Sequence, residues 1–193
     1  FVLQHGDSVR WDGTSKRWMH YVGTHWVHDL AARHIALAVE TARSLLTEAE
    51  RSENPDVRKS RAREAAGCQS VSRIKAMLEI AKSMLPVAPG DFDSDLDLFN
   101  CPNGTLRLST GELLPHDPAH LITKCAGAPF DPSAKAPTWD RFLFEVASND
   151  LDLVDYKSRV YGQALTGRNL EQHVLIHHGP GANGKTTEAN ALL

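Results

Sequence analysis

The sequence has little of what marks the specialised classes of protein. No apolar run approaches the roughly 18 residues needed to span a bilayer, so a membrane-crossing helix is not expected. The first residues carry no basic segment followed by an apolar one, which argues against a secretory leader. Cysteine is scarce: Cys68, Cys101 and Cys125 stand far apart, are odd in number and form no C-x-x-C pair. They read as reduced intracellular thiols, not as a disulfide framework or a zinc site. A net charge of −3 gives no global field toward nucleic acid or anionic membrane, so any DNA contact has to come from a local patch. Internal repeats and low-complexity tracts are absent.

What is present suits an ordinary globular chain. Its 193 residues suffice for one sizeable core or two small ones. Ten histidines are many, but only His25 with His28 and the pair His177–His178 stand close together. A metal site at either needs two more converging ligands, so they are read as surface or strand residues. The chain opens on Phe1 and ends abruptly after Leu193, which leads us to expect a fragment or a truncated reading frame.

The opening SVRWDGTSKRWMHYVGTHWVHD places two turn signals, Asp12-Gly13 and Gly23-Thr24, between short segments rich in Trp, Tyr and Val. This predicts a hairpin or a three-stranded meander. Trp11, Trp18 and Trp26 could stack on bases of a single strand. The simpler reading makes them the hydrophobic face of a small sheet, with Arg10 and Arg17 at its edges. Residues 31–51 predict a helix, because Ile35, Ala38, Val39, Ala42, Leu45, Leu46 and Ala49 recur along one stripe. A second helix is expected where Val71, Ile74, Met77, Leu78, Ala81 and Leu85 line one side before Pro86.

Between them RSENPDVRKSRAREAAG breaks the periodicity and is locally basic through Arg58, Lys59, Arg61 and Arg63. A charge run of this kind is usually a solvated face, yet it is the best local candidate for phosphate contact. Asp91, Asp93, Asp95 and Asp97 invite comparison with a calcium loop. The glycine at the sixth position and the glutamate at the twelfth are missing, and calcium is rejected. A hairpin follows, with Thr105–Leu108 turning through Ser109–Glu112 to Leu113-Leu114. Two short helices are then expected, one around Trp139, Phe142, Leu143 and Val146. The other follows Leu153, Val154, Tyr156, Val160, Tyr161 and Ala164. Val174-Leu175-Ile176 gives a short apolar strand.

That strand runs into Gly179-Pro180-Gly181-Ala182-Asn183-Gly184-Lys185-Thr186, which fits G-x-x-x-x-G-K-[ST] at every fixed position. Gly181 and Gly184 would let successive N–H groups turn inward as an anion cradle. A helix starting near Lys185 would add the positive end of its dipole. The ammonium of Lys185 would reach the β- and γ-phosphates of ATP, and the hydroxyl of Thr186 would ligate Mg²⁺. Thr187 follows in the same turn. A chance match in a chain of this length arises about one time in a hundred or less. The loop specifies nucleotide binding but no reaction type. Phosphoryl transfer needs an acidic strand-end residue, a water-positioning group and often a neighbour's arginine, and in proteins of this layout those lie beyond the loop.

The stretches NCPNGTLRLSTGELLPHDPAHLITK, PTWDRFLFEV, LVDYKSRVYGQALTGRNLEQ and GPGANGKTT occur in this order. From about residue 91 onward the chain thereby resembles the phage and plasmid primase–helicases of helicase superfamily three. WDGTSKRWMHYVGTHWVHD is similar, more loosely, to that family's W-D-G-x-x-W beginning, and residues 31–90 match in helical character alone. The resemblance implies a helical-plus-hairpin accessory module preceding an ATPase ring, a homo-hexamer moving along single-stranded DNA in the bacterial host cytoplasm. By carry-over, Lys185 and Thr186 are the ATP and Mg²⁺ residues and Gly179 to Gly184 the cradle. The acidic, sensor and arginine-finger motifs of the family are absent from these 193 residues, as is a primase domain. The family loop also runs on into Ser-Thr and two large apolar residues. Glu188 instead puts a charge where the next helix normally packs, which argues against that helix.

Together these readings predict an α+β chain. It comprises a Trp-rich β-meander (1–30), a helical region (31–90), a loop and β-hairpin (91–135) and a helical lead-in (136–170). The first strand and P-loop of a truncated α/β, AAA+-like ATPase domain would complete it (171–193). The expected function is that of a piece of an ATP-dependent DNA helicase, itself hydrolysing little ATP. The alternative is a non-enzymatic DNA-binding or oligomerisation module with a vestigial loop. The front of a small P-loop kinase fits poorly, since about 178 residues precede the loop here and such enzymes carry it near the N-terminus.

Overall fold

The computed structural model describes residues 1–168, 174, 176–179, 181 and 183–192. Within them the chain is α+β, with seven α-helices and two small sheets. A one-turn helix α1 (Val2–His5) leads into strands β1 (Val9–Asp12), β2 (Arg17–Tyr21) and β3 (Trp26–His28). These form the expected antiparallel meander, with Trp11 opposite Trp18 and Tyr21 opposite Trp26. The Asp12 carboxylate accepts from Thr14 N–H at 2.9 Å to make the first turn, and Gly23 takes φ +93° in the second. Such a φ suits glycine because a Cβ would collide with the backbone. An unexpected strand, β4 (Pro86–Val87), extends this sheet parallel to β1.

Three helices cover the sheet where two had been expected: α2 (Arg33–Glu50), α3 (Pro55–Cys68) and α4 (Val71–Met84). Pro55 does not interrupt structure here; it starts α3 from the first helical position, where its missing N–H costs nothing. The Asn54 side chain caps α3 by accepting from the N–H groups of Asp56 and Val57. α2 is capped from a distance. Asp29, its side chain fully buried, accepts from Arg33 N–H and His34 N–H at 2.8 Å each and pairs with the His34 ring at 2.6 Å. Burial drives the Asp29 carboxyl upward, but these bonds outweigh it and hold it below its ordinary range. The core unites Val9 and Trp18 of the sheet with Ala38 of α2 and Ile74, Leu78, Ala81 and Leu85 at α4. Ile35 and Leu45, assigned to the buried stripe of α2, lie exposed at its rim.

The tryptophans are packing residues. Trp26 has no exposed surface and Trp18 is buried. Trp11 packs edge-on to Trp18 at 5.5 Å, with the Lys82 ammonium 4.4 Å from its ring. Arg10 covers Trp26 at 5.5 Å.

The second sheet is a meander of β5 (Leu98–Cys101), β6 (Gly104–Arg107) and β7 (Glu112–Leu114). The predicted hairpin is β6–β7, in the register Leu106 opposite Leu113; β5 is an addition, joined through the tight Pro102-Asn103 turn. Buried Asn100 ties the sheets together, its Nδ2 donating to Thr24 O and Lys124 O at 3.0 and 2.9 Å. The Trp26 indole N–H donates to Pro118 O at 2.8 Å across the same seam. The four aspartates of the rejected calcium loop are spent in local bonds. Asp91 accepts from Ala88 N–H, Asp93 from the Thr123 N–H and hydroxyl, and Asp95 from Asp97 N–H. Asp97 takes the hydroxyl and N–H of Ser109 and the Arg107 guanidinium, which hold its carboxyl below the ordinary range.

Beyond residue 136 lie α5 (Pro137–Val146), α6 (Leu151–Leu165) and α7 (Lys185–Leu192). Ser148 and Asn149, both at positive φ, turn the chain between α5 and α6. Leu143 of the α5 stripe is buried, whereas α6 buries no side chain fully. One expectation fails in this region. Val174 and Ile176 are not in a strand and are 84% and 82% exposed; Leu175 lies outside the described residues. A strand needs a partner for its backbone groups, and among the described residues none is paired with these two. Conversely, α7 does form after the loop despite Glu188.

Candidate functional site

The first candidate is the basic set on α3. Arg58, Lys59, Arg61 and Arg63 are all exposed. At 100° per residue they split into two groups: Arg58 with Arg61, and Lys59 with Arg63. Arg61 lines the groove between α2 and α3 beside Glu48 and Glu64, so the four charges do not make one uninterrupted stripe. They can meet a polyanion, but not as a single row.

The second candidate is the glycine loop. Gly184 takes φ +84°, and a Cβ there would come within 2.7 Å of Val146 Cγ1 and 2.9 Å of Phe142 Cε2 on α5. Both the dihedral and the space therefore require glycine. Gly181 has open space around it and no positive φ, so the backbone freedom expected of it is not used. At Gly179 a side chain would strike the Asn183 carboxamide. Pro180 and Ala182 lie outside the described residues.

Lys185 opens α7 and folds back over the loop. Its Nζ donates to Gly179 O at 3.0 Å and to Asn183 Oδ1 at 2.6 Å. Thr186 and Thr187 are exposed in the first turn of α7, where N–H groups lack intrahelical acceptors. A cavity of about 420 Å³ opens at Lys185, lined by Tyr156, Lys157, Tyr161, His177 and Asn183 among others. One buried acid faces it. Glu188 accepts two bonds from Lys157 Nζ at 2.8 Å, with His177 Nδ1 at 3.8 Å. The sequence marked Glu188 as a misfit because its partner lies 31 residues away on α6, a pairing that no local pattern displays.

This donor set suits the phosphates of a nucleotide: an ammonium, a helix start and two hydroxyls. Among the described residues no group of three or more His, Cys, Asp or Glu side chains could hold a metal ion. No helix among the described residues is long and apolar enough to cross a membrane.

Residues 1–148 match the family described as D5 N terminal like. The match takes in α1 to α5, both sheets and the region 31–90 that the sequence related to the family only through helical character. It stops before α6 and the glycine loop. No curated protein matches the chain. With more than three quarters of its length matched and both sheets inside the match, the chain belongs to the D5 N terminal like family, the N-terminal part of phage and plasmid primase–helicase proteins that act in replication.

Proposed function

We propose that the chain serves an ATP-driven DNA helicase of superfamily three in the replication of phage or mobile DNA. Residues 1 to about 148 would be its accessory module, and Gly179 to Thr187 its nucleotide-phosphate loop. The carrying observation is that α7 begins at Lys185 directly after a loop whose Gly184 cannot be replaced without a clash. Lys185 would exchange its bonds to Gly179 and Asn183 for phosphate oxygens, and Thr186 would complete the shell of the Mg²⁺ carried by ATP. Hexamer formation and movement along single-stranded DNA belong to the same proposal.

The 193-residue chain is expected to bind Mg·ATP weakly and to hydrolyse little of it. Val174 and Ile176 are exposed and no sheet lies behind the loop among the described residues, and preorganised N–H geometry is what gives such a loop its grip. Titration of the chain and of Lys185→Ala with Mg·ATP, with turnover measured in parallel, tests this. Loss of binding in Lys185→Ala with negligible turnover in both supports the proposal. Brisk hydrolysis abolished by Lys185→Ala would overturn the unsupported-loop argument, and no binding by the unaltered chain would overturn the nucleotide reading.

A second reading, a non-enzymatic DNA-binding module, is favoured by the exposure of all four basic residues on α3. It predicts salt-dependent single-strand binding with no nucleotide requirement.

A further inference from the structure

We infer that Lys157 is a positioning residue for the glycine loop, holding the head of α7 by neutralising Glu188. Its functional consequence rests on the nucleotide reading above; the pairing itself does not. Glu188 is 2% exposed, and each of its carboxylate oxygens accepts from Lys157 Nζ at 2.8 Å. A carboxylate withdrawn from water persists only with close, charge-assisted partners, and here one lysine supplies both bonds.

Two circumstances make this pair matter. α6 has no fully buried side chain, so the charged bond is a prominent tie between it and α7. Glu188 also lies within one helical turn of Lys185 and lines the same cavity. Uncompensated, its charge would compete with an incoming phosphate for the Lys185 ammonium and the helix start. Paired with Lys157, that charge is already satisfied, and the cavity keeps a positive balance from Lys185. The residue that looked like a defect in the post-loop helix is one half of the bond that docks it.

The test uses the full chain as Lys157→Met, Glu188→Gln, the double variant and Lys157→Arg. Amide hydrogen exchange over 185–192 is read against 9–28 as a control for the fold, and Mg·ATP affinity is measured alongside. Lys157→Met is expected to speed exchange in α7 by about tenfold or more with the control unchanged. Lys157→Arg should stay close to the unaltered chain. Lys157→Met should also weaken Mg·ATP binding by about tenfold. The double variant should recover most of that loss, because the unpaired carboxylate is what repels phosphate. Unchanged α7 exchange in Lys157→Met, or a double variant no better than the product of its singles, would overturn the inference. Should the unaltered chain bind no Mg·ATP, the nucleotide reading fails while the exchange data still decide the role of Lys157.

Discussion

Replacing Gly184 by alanine separates two reasons for a glycine in the loop. The native φ of +84° lies where a Cβ costs about 1–2 kcal/mol. The new methyl would sit 2.7 Å from Val146 Cγ1 and 2.9 Å from Phe142 Cε2, an overpacking worth about 1–3 kcal/mol. Reduced freedom of the unfolded chain returns about 0.4–1 kcal/mol. The net is about 1–4.6 kcal/mol against the docking of the loop onto α5. If opening is local, that corresponds to about 5- to 2,000-fold faster amide exchange in α7, at 1.4 kcal/mol per factor of ten. Gly181→Ala is the internal comparison: nothing lies within 4 Å of the new methyl and no positive φ has to be kept. It should leave exchange within about twofold of the unaltered chain. Exchange mass spectrometry over 185–192 reads both. Equal behaviour of the two variants would refute the packing argument, since it would mean that α7 does not rest on Phe142 and Val146.

Three further outcomes are expected. Trp26→Phe leaves Pro118 O without its indole donor at the seam between the sheets and should lower stability by about 1–3 kcal/mol, read as a drop in Tm in a thermal melt. Asp29 has a depressed folded pKa, so its contribution is present above the ordinary aspartate value and is lost as pH falls through the folded one. Asp29→Asn should therefore flatten the acid limb of a stability–pH curve and cost about 1–2 kcal/mol at neutral pH through the damaged cap of α2; an unchanged acid limb would show that the carboxylate is not linked to folding. Replacing Arg58, Lys59, Arg61 and Arg63 together by glutamine should weaken single-stranded DNA binding and flatten its salt dependence by up to about 0.7 per lost phosphate contact. An unaltered slope would remove α3 from the DNA surface.

What could be read in the sequence was what local pattern controls. The meander followed from Asp12-Gly13 and Gly23-Thr24, β6–β7 from the alternation around Ser109–Glu112, and α4 from a stripe that is buried almost as written. α3 escaped because only Ala65 on it is fully buried, so it has no apolar period to display; the Asn54-Pro55 start was its one local signal. β4 escaped because two residues that pair with β1 from the far end of three helices carry no pattern at all. Ile35 and Leu45 misled for a related reason. α2 buries its small face, Ala38, Thr41, Ala42 and Ala49, and bulk alone pointed a little to one side of it. At the loop, the spacing of glycines and Lys185 was visible, but the demand at Gly184 was not, because it is set by α5, some 40 residues earlier.

That dependence on α5 bears on how the two halves of the chain relate. The family match ends at residue 148, just past the last turn of α5, and the loop begins about 30 residues later. Yet a side chain at Gly184 would run into Phe142 and Val146, side chains inside the match. α5 is in turn organised from its own apolar face, with Leu143 buried and Trp139 stacked on Phe142 at 5.4 Å. The closing helix of the D5 N terminal like module thus supplies the floor for Gly184, while Lys157 on α6 supplies the counter-charge for Glu188. Neither contact comes from a strand. In this chain the head of α7 takes its position from the helices before it, so a change in how α5 and α6 pack would reach Lys185 through two short contacts.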